Sequence, residues 1–181
     1  MDTITAIHTR RSIRDYEKRP VGREVIADVL WDATQAPTTP VSGPFLFHVI
    51  EGVARIANFG ERAKQYTRTH RPDANGYSWA ARSDFRVFLG APAVIVISGH
   101  ADNPQSIQDC NRAGQNLMLS AHARGLGSCW VGAPMLWLRR PETRKELGIA
   151  EVFEPFAVFT LGYAASVPPP RSRERPKIVW A

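Results

Sequence analysis

Arginines gather in two motifs near opposite ends of the chain. The first motif, HTRRSIRDYEKRPV at residues 8–21, carries five basic residues and one serine: Arg10, Arg11, Ser12, Arg14, Lys18 and Arg19. The second, RSRERPK at residues 171–177, begins with Arg171 and Arg173. A guanidinium is a rigid fork of donors that matches phosphate oxygens, and a serine hydroxyl adds a short charge-assisted bond. If the fold brings both motifs together, they predict a site for a phosphate or another anion.

The same arginines also fit a basic helix end that faces solvent and is stabilised by the helix dipole. Composition alone leaves both interpretations open. The sequence contains no motif of another catalytic chemistry: no HExxH, no CxxC, no GxSxG and no P-loop lysine, so it predicts no metal site. The segment GLGSCWVG follows a predicted helix, whereas a dinucleotide fingerprint follows a strand. If the protein is an enzyme, we expect a cofactor to carry its chemistry.

Hydrophobic periodicity predicts the elements that position these residues. Apolar residues at helical spacing predict helices over residues 2–11, 22–37, 53–68, 107–127 and 139–149. Alternating or continuous apolar runs predict strands over residues 44–50, 91–99 and 154–165, the second of them buried on both faces. Residues 70–88 show no steady period and are expected to form a long surface segment, of the kind that covers a pocket. Helices that outnumber strands without regular alternation favour an α+β fold.

Length and composition set wider limits. With 181 residues, 44% hydrophobic and 22% charged, the chain is expected to form one domain over residues 1–181. It contains no run of about 18 apolar residues and no signal peptide pattern, so we expect a soluble cytoplasmic protein that does not bind membranes. Cys110 and Cys129 are expected to be small buried hydrophobes. The excess of basic residues, 23 − 17 = +6, is by itself compatible with nucleic acid, a membrane surface or an anionic small molecule.

Five segments, in order over nearly the whole chain, resemble the flavin-dependent nitroreductase family. They are RRSIRDYEKRPV, VLWDATQAPTTPVSGPFLFHVIEG, APAVIVISG, AGQNLMLSAHARGLGSCWVGAP, and EPFAVFTLGYAA with PPPRSRERP. The resemblance implies an α+β fold with a central mixed β-sheet flanked by helices. It also implies an obligate homodimer in which each C-terminal arm embraces the partner, with FMN bound at the interface.

By the same resemblance, the FMN phosphate and ribityl chain would be held by Arg10, Arg11, Ser12 and Arg14, with Arg171 and Arg173 from the tail. Three further residues would lie against the isoalloxazine and offer backbone donors near its N5 edge: Trp130, Val131 and Gly132. Thr38 and Thr39 would reach the flavin from the partner subunit. The flavin would then carry the chemistry with no catalytic side chain.

The chain departs from the family pattern in one loop. Where family members usually read APSxxNxQPW, this chain reads APTTPVSGPF, so Val41 replaces an asparagine, Gly43 a glutamine and Phe45 a tryptophan. Val41 cannot hydrogen-bond to the pyrimidine edge of the flavin, and one such bond is worth about 0.5 to 1.5 kcal/mol. The loop therefore predicts weaker FMN binding or a changed substrate site.

The resemblance implies that FMN passes hydride from NADH or NADPH to a small electron-poor acceptor, such as a nitroaromatic, a quinone or an enone. A flavin-binding protein of the same fold with lost or altered catalysis is the alternative. A nucleic-acid-binding module is the third hypothesis, but no helix-turn-helix, RRM or OB signature accompanies the basic residues. We therefore expect an enzyme that does not bind nucleic acid.

Overall fold

The computed structural model describes residues 1–39, 45–71 and 76–181 of the chain. Its helices are α1 Thr3–Thr9, α2 Arg23–Ala33, α3 Val53–His70, α4 Ser106–Ala123, α5 Met135–Leu138 and α6 Pro141–Glu146, and a short 3₁₀ helix covers Ser78–Ala81. Its strands are β1 Leu46–Glu51, β2 Ala93–His100, β3 Gly127–Trp130 and β4 Phe153–Gly162. The fold is α+β, as the sequence predicts.

The four strands form one sheet in the order β1-β2-β4-β3, and every neighbouring pair is antiparallel. The resemblance implied a mixed sheet, that is, one with parallel and antiparallel pairs. Among the described residues, the only parallel pairing is an isolated bridge between Ser12 and Ser128 at the edge strand β3. This bridge matters for the site because it fixes the first arginine motif to the sheet.

Helices cover both faces of the sheet. Ile95 and Ile97 of β2 pack under α2 and α4, whereas Val94 and Val96 pack under α3 and α5. Because strand side chains alternate between faces, a central strand in such a sandwich must be apolar at every position. The expected burial of β2 on both faces is therefore confirmed.

The small residues at helical spacing in α4 predict close packing against another helix, and the structure confirms this in part. Ala113 and Ala121 pack in the core shared with α2, as predicted for a helix neighbour. At Gly114, however, a Cβ would overlap the ring of Phe159 on β4. The glycine therefore lets α4 lie directly on the sheet.

Two elements were not predicted, β3 and α5. β3 has only four residues, and its sequence GSCW lacks the β-branched residues that indicate a strand. α5 is a single turn, too short for a periodic pattern. In α1, the helical spacing of Ile4 and Ile7 predicts a shared packed side, but Ala6 is the buried residue of that helix and both isoleucines are exposed.

The segment expected to cover a pocket packs instead against the body in its described part. Ala80, Val87 and Phe88 are buried, and the Trp79 ring lies 5.3 Å from that of Phe85. Trp79 thus serves as a hydrophobic anchor against the α3 side of the core. After β4, residues 166–181 form neither helix nor strand, and nearly all of them are exposed. In the described part of the chain, no helix is both long and apolar enough to cross a membrane.

Candidate functional site: an arginine-lined cavity

The two arginine motifs meet around one cavity of about 810 Å³. Its walls come from the end of α1, the segment that follows it, α4 and the extended tail. The cavity is lined by Ile7, His8, Arg10, Arg11, Ser12, Arg14, Gln115, Pro168, Pro169, Pro170, Arg171 and Arg173. Six of the eleven predicted site residues are therefore brought together: Arg10, Arg11, Ser12, Arg14, Arg171 and Arg173.

The segment that carries the first motif is held against the edge of the sheet. Ile13 is buried, and its N–H donates to the carbonyl oxygen of Ser128 at 3.0 Å. The Tyr16 hydroxyl lies 2.8 Å from Thr160 Oγ1 and donates to the Ile13 carbonyl oxygen at 2.9 Å. Ser12 and Arg14 flank a residue whose backbone and side chain are both fixed, so their own side chains project from a rigid support.

Arg10 is the most confined of these arginines. Its Nη1 is buried and has no hydrogen-bond acceptor in the described part of the chain. Burial lowers the pKa of Arg10, and the neighbouring charges of Arg173 and Arg11 lower it further. A buried guanidinium nitrogen without an acceptor is costly, and an anion in the cavity would remove that cost.

Arg11 is fixed by its own backbone. Its Nη1 donates to the carbonyl oxygens of His8 and Arg10, each at 2.9 Å. His122 of α4 contacts the end of α1, where its Nε2 lies 2.8 Å from Thr9 Oγ1. Burial lowers the pKa of His122, and the charges of Arg10 and Arg11 add to the effect. The cluster therefore favours a neutral imidazole at this position.

The cavity has strong positive charge and no compensating acid. No Asp or Glu lines it among the described residues. In the same part of the chain, none of its five arginines forms an ion pair, whereas the paired arginines of the protein lie elsewhere. Such an arrangement is suited to an anion with several oxygens, since guanidinium forks bind phosphate in a bidentate way.

His8, Gln115 and the prolines at 168–170 were not predicted to line the cavity. Gln115 lies on the exposed side of α4, and the sequence analysis gave it no role because helical periodicity marks it only as polar. Its place in the wall depends on where the tail crosses α4, which no local pattern reports. The prolines do carry a signal, because a run of three keeps the chain extended and directs the tail arginines.

The other five predicted residues do not line this cavity. Trp130 ends β3 with 43% of its surface exposed, and its ring lies 5.3 Å from that of Phe159. Val131 donates its N–H to the Val158 carbonyl oxygen at 2.9 Å, so that amide is committed to the sheet. Gly132 is exposed, and its N–H has no backbone or side-chain acceptor among the residues described. Of Val131 and Gly132, therefore, only Gly132 has a backbone N–H that can donate to a ligand.

Thr39 contacts α4 within its own chain. Its N–H and its Oγ1 both lie near Asp109 Oδ2, at 3.3 and 3.2 Å, and Arg112 donates to the other oxygen of Asp109. Thr38 is exposed. Val41 and Gly43, which carry the departure from the family pattern, lie outside the described residues.

The cysteines behave as the composition predicts. Cys110 and Cys129 are both free and buried. Burial raises the pKa of Cys129, although Arg14, a hydrogen bond with Ser12 and Arg10 oppose the shift. Cys129 therefore supports the floor beneath the arginine motif as a neutral thiol.

Comparison with known proteins matches this architecture. The model of the nitroreductase family matches residues 7–163. A protein of Methanothermobacter thermautotrophicus, provisionally named NADH dehydrogenase/NAD(P)H nitroreductase, is 31% identical over 172 residues, which are 93% of this chain and 80% of that protein.

Solved structures agree in fold. A Bacteroides fragilis nitroreductase with bound FMN has a TM-score of 0.88 at 20% identity and covers 100% of both chains. A Desulfitobacterium hafniense nitroreductase, also with bound FMN, has a TM-score of 0.86 at 24% identity and covers 100% of this chain and 99% of its own.

Proposed function

The chain belongs to the nitroreductase family, and from this membership and its arginine cavity we propose that it is an FMN-dependent oxidoreductase. It transfers hydride from NADH or NADPH to a small electron-poor acceptor, such as a nitroaromatic, a quinone or an enone. The observation that carries the proposal is the convergence of five arginines on one cavity, which is lined by no carboxylate of the described residues.

The residues present fit the phosphate of FMN. Arg10 offers a buried Nη1 that has no acceptor within the described ranges, and the nearby charge of Arg173 helps to lower the pKa of Arg10. Arg171, Arg14 and the Ser12 hydroxyl complete the set. A phosphate monoester carries about −2 charge, which these cations offset. Arg11 holds the α1 side of the cavity through its backbone contacts.

The flavin ring would lie beyond the phosphate, toward the end of β3. Trp130 offers an exposed aromatic surface there, and Gly132 offers a free N–H and no side chain to block approach. When bound, FMN supplies the hydride chemistry, and this chain orients it and keeps a donor at its edge. We retain Val131 as a packing residue and Thr38 and Thr39 as contacts from a partner subunit.

We propose a homodimer. Several large apolar side chains are exposed in the single chain, among them Ile4, Ile107 and Trp130. The tail ends in three more, Ile178, Val179 and Trp180, of which Trp180 is 88% exposed. Exposed apolar surface of this kind is typical of an interface, and we expect the C-terminal arm to contact a second copy.

The proposal includes a cytoplasmic location. Both cysteines are free, as is usual in a reducing compartment. Fractionation of native cells tests this directly: recovery of the protein in the periplasmic or extracellular fraction would contradict it.

One flavin cleft must serve both substrates, so the reaction follows a ping-pong course. The nicotinamide leaves before the acceptor enters, because the sequence has no separate dinucleotide fingerprint. Initial rates at several fixed acceptor concentrations should give parallel double-reciprocal lines. Intersecting lines, together with a ternary complex of protein, nicotinamide and acceptor, would contradict the single cleft.

The alternative is a flavin-binding protein with lost or altered catalysis. The departures from the family pattern at residues 41–45 support this alternative, since they replace polar groups that family members usually carry there. A yellow protein whose flavin NADH and NADPH both fail to reduce would favour this alternative.

A further inference from the structure

Two glycines that face each other across β3 and β4 leave a notch at one end of the sheet. Gly127 and Gly162 are partners in the strand register. A Cβ at Gly127 would lie 2.7 Å from the Ile13 side chain, and a Cβ at Gly162 would lie 2.6 Å from Pro92 and 2.9 Å from the Tyr16 ring. Contacts this short are not tolerated, so glycine at both positions lets the segment of the first arginine motif lie directly on the sheet. We call this pair the glycine notch.

The Tyr16 hydroxyl forms a buried polar network beside the glycine notch. It donates to the Ile13 carbonyl oxygen at 2.9 Å and lies 2.8 Å from Thr160 Oγ1. A phenol has one proton, so Thr160 is the donor in the second contact. Tyr16 and Thr160 are both buried, and burial raises the pKa of Tyr16 above its ordinary value. The hydroxyl therefore keeps its proton and ties the motif segment to β4.

The same segment also holds the start of the tail. Glu17 donates its N–H to the Tyr163 carbonyl oxygen at 2.9 Å, and Ala165 donates its N–H to the Asp15 carbonyl oxygen at 3.0 Å. An antiparallel bridge joins the two residues that lie between these bonds. The chain that leaves from here carries the second arginine motif. The two motifs are thus joined at this point, before either reaches the cavity.

Tyr16 lies at the centre of this junction. Its hydroxyl fixes Ile13, and Ile13 lies between Ser12 and Arg14, which both line the cavity. Its backbone is paired with the start of the tail. The ring seats the segment in the glycine notch, whereas the hydroxyl fixes how the segment is turned on the sheet. Loss of the hydroxyl alone should therefore keep the segment seated and let the two motifs move relative to each other.

We propose that Tyr16 is a positioning residue for FMN, whose hydroxyl holds the two arginine motifs in the arrangement that the phosphate requires. This inference rests on the proposed function. Tyr16 is not part of the cavity wall, so it acts through Ser12, Arg14 and the tail arginines. A site that is ordered before binding loses less conformational freedom when its ligand arrives, and it binds more tightly for that reason.

Tyr16→Phe tests the proposal, because it keeps the ring and removes only the hydroxyl. The dissociation constant of FMN, measured by flavin fluorescence, should rise by about 3- to 10-fold, the effect of one neutral hydrogen bond. Thr160→Val removes the partner hydroxyl and should act in the same direction. The double variant should weaken binding by less than the product of the two single effects, because both remove one network. Tyr66→Phe is the matched control, since the Tyr66 ring packs on the α3 side of the core.

Hydrogen exchange of the apoprotein gives a second readout, which depends neither on FMN nor on activity. In Tyr16→Phe, the N–H groups of Ile13, Glu17 and Ala165 should exchange at least about threefold faster, while those of β2 change much less. Such a local change is what positioning predicts. A purely structural role would instead accelerate all the amides that exchange through global unfolding, and it would leave the affinity for FMN unchanged.

The outcomes separate this inference from the proposed function. A dissociation constant in Tyr16→Phe within about twofold of the wild-type value, or one raised equally in Tyr66→Phe, would overturn the role of Tyr16 and leave FMN binding intact. Exchange accelerated equally throughout the sheet would also overturn it. A wild-type protein that binds no FMN would overturn the proposed function as well. If Tyr16→Phe does not fold, Thr160→Val decides by the same two measurements.

Discussion

Replacement of Arg10 by alanine should release FMN from the protein. Arg10 Nη1 is buried and has no acceptor among the residues that the structure describes, so a bound phosphate would supply one. A hydrogen bond to a charged group is worth about 1.5 to 3 kcal/mol. The dissociation constant of FMN should therefore rise by about 10- to 150-fold in Arg10→Ala.

The assay is flavin fluorescence, which rises as FMN leaves the protein on dilution. The apoprotein offers an independent check, since Arg10→Ala removes a buried guanidinium nitrogen that has no acceptor among the described residues and should not lower the melting temperature. Arg175→Ala, in the C-terminal arginine motif but outside the cavity, is the control and should keep its flavin. An Arg10→Ala protein with full flavin occupancy at submicromolar concentration would refute the reasoning.

Three further predictions concern stability and assembly. Gly114→Ala should lower the free energy of unfolding by about 1 to 3 kcal/mol, measured by urea, because its Cβ meets the Phe159 ring; Gly22→Ala, whose Cβ would meet nothing within 4 Å, is the control and should cost much less. Burial raises the pKa of the Cys110 thiol to about 12, from an ordinary value of 9.0. As pH rises, the thiol loses its proton in the unfolded chain before it does so in the folded protein, so the free energy of unfolding should fall above about pH 9. In Cys110→Ala this fall should be shallower. The same pH dependence in both proteins would exclude Cys110 as its cause. Light scattering should report the mass of a dimer, whose interface we expect to exceed about 2,000 Å². A chain that ends at Lys177 should form a weaker dimer. A stable flavin-loaded monomer would contradict this prediction.

Local patterns predicted most of the fold. The apolar run of β2 and the regular spacing along α4 lie where the sequence indicates, because a buried strand and an amphipathic helix each leave a periodic record. β3 left no such record. Its four residues are fixed by pairing with β4 and by the Ser12 bridge, which are contacts distant in sequence.

The part of the site that the sequence predicted is the part made of arginines. Arginines at both ends of the chain indicated a shared anion, and the tail does bring Arg171 and Arg173 beside Arg10. The role of Gln115 in the wall and the commitment of the Val131 amide to the sheet depend on tertiary packing. Residue type and spacing carry no trace of either.

Anaerobic titration of the purified, FMN-loaded protein with reduced nicotinamide tests the central claim most directly. The account predicts that about one equivalent of donor per flavin bleaches the visible flavin absorbance, and that a nitroaromatic or a quinone then restores it. A protein that binds no flavin, or whose flavin stays oxidised with both NADH and NADPH, would contradict it.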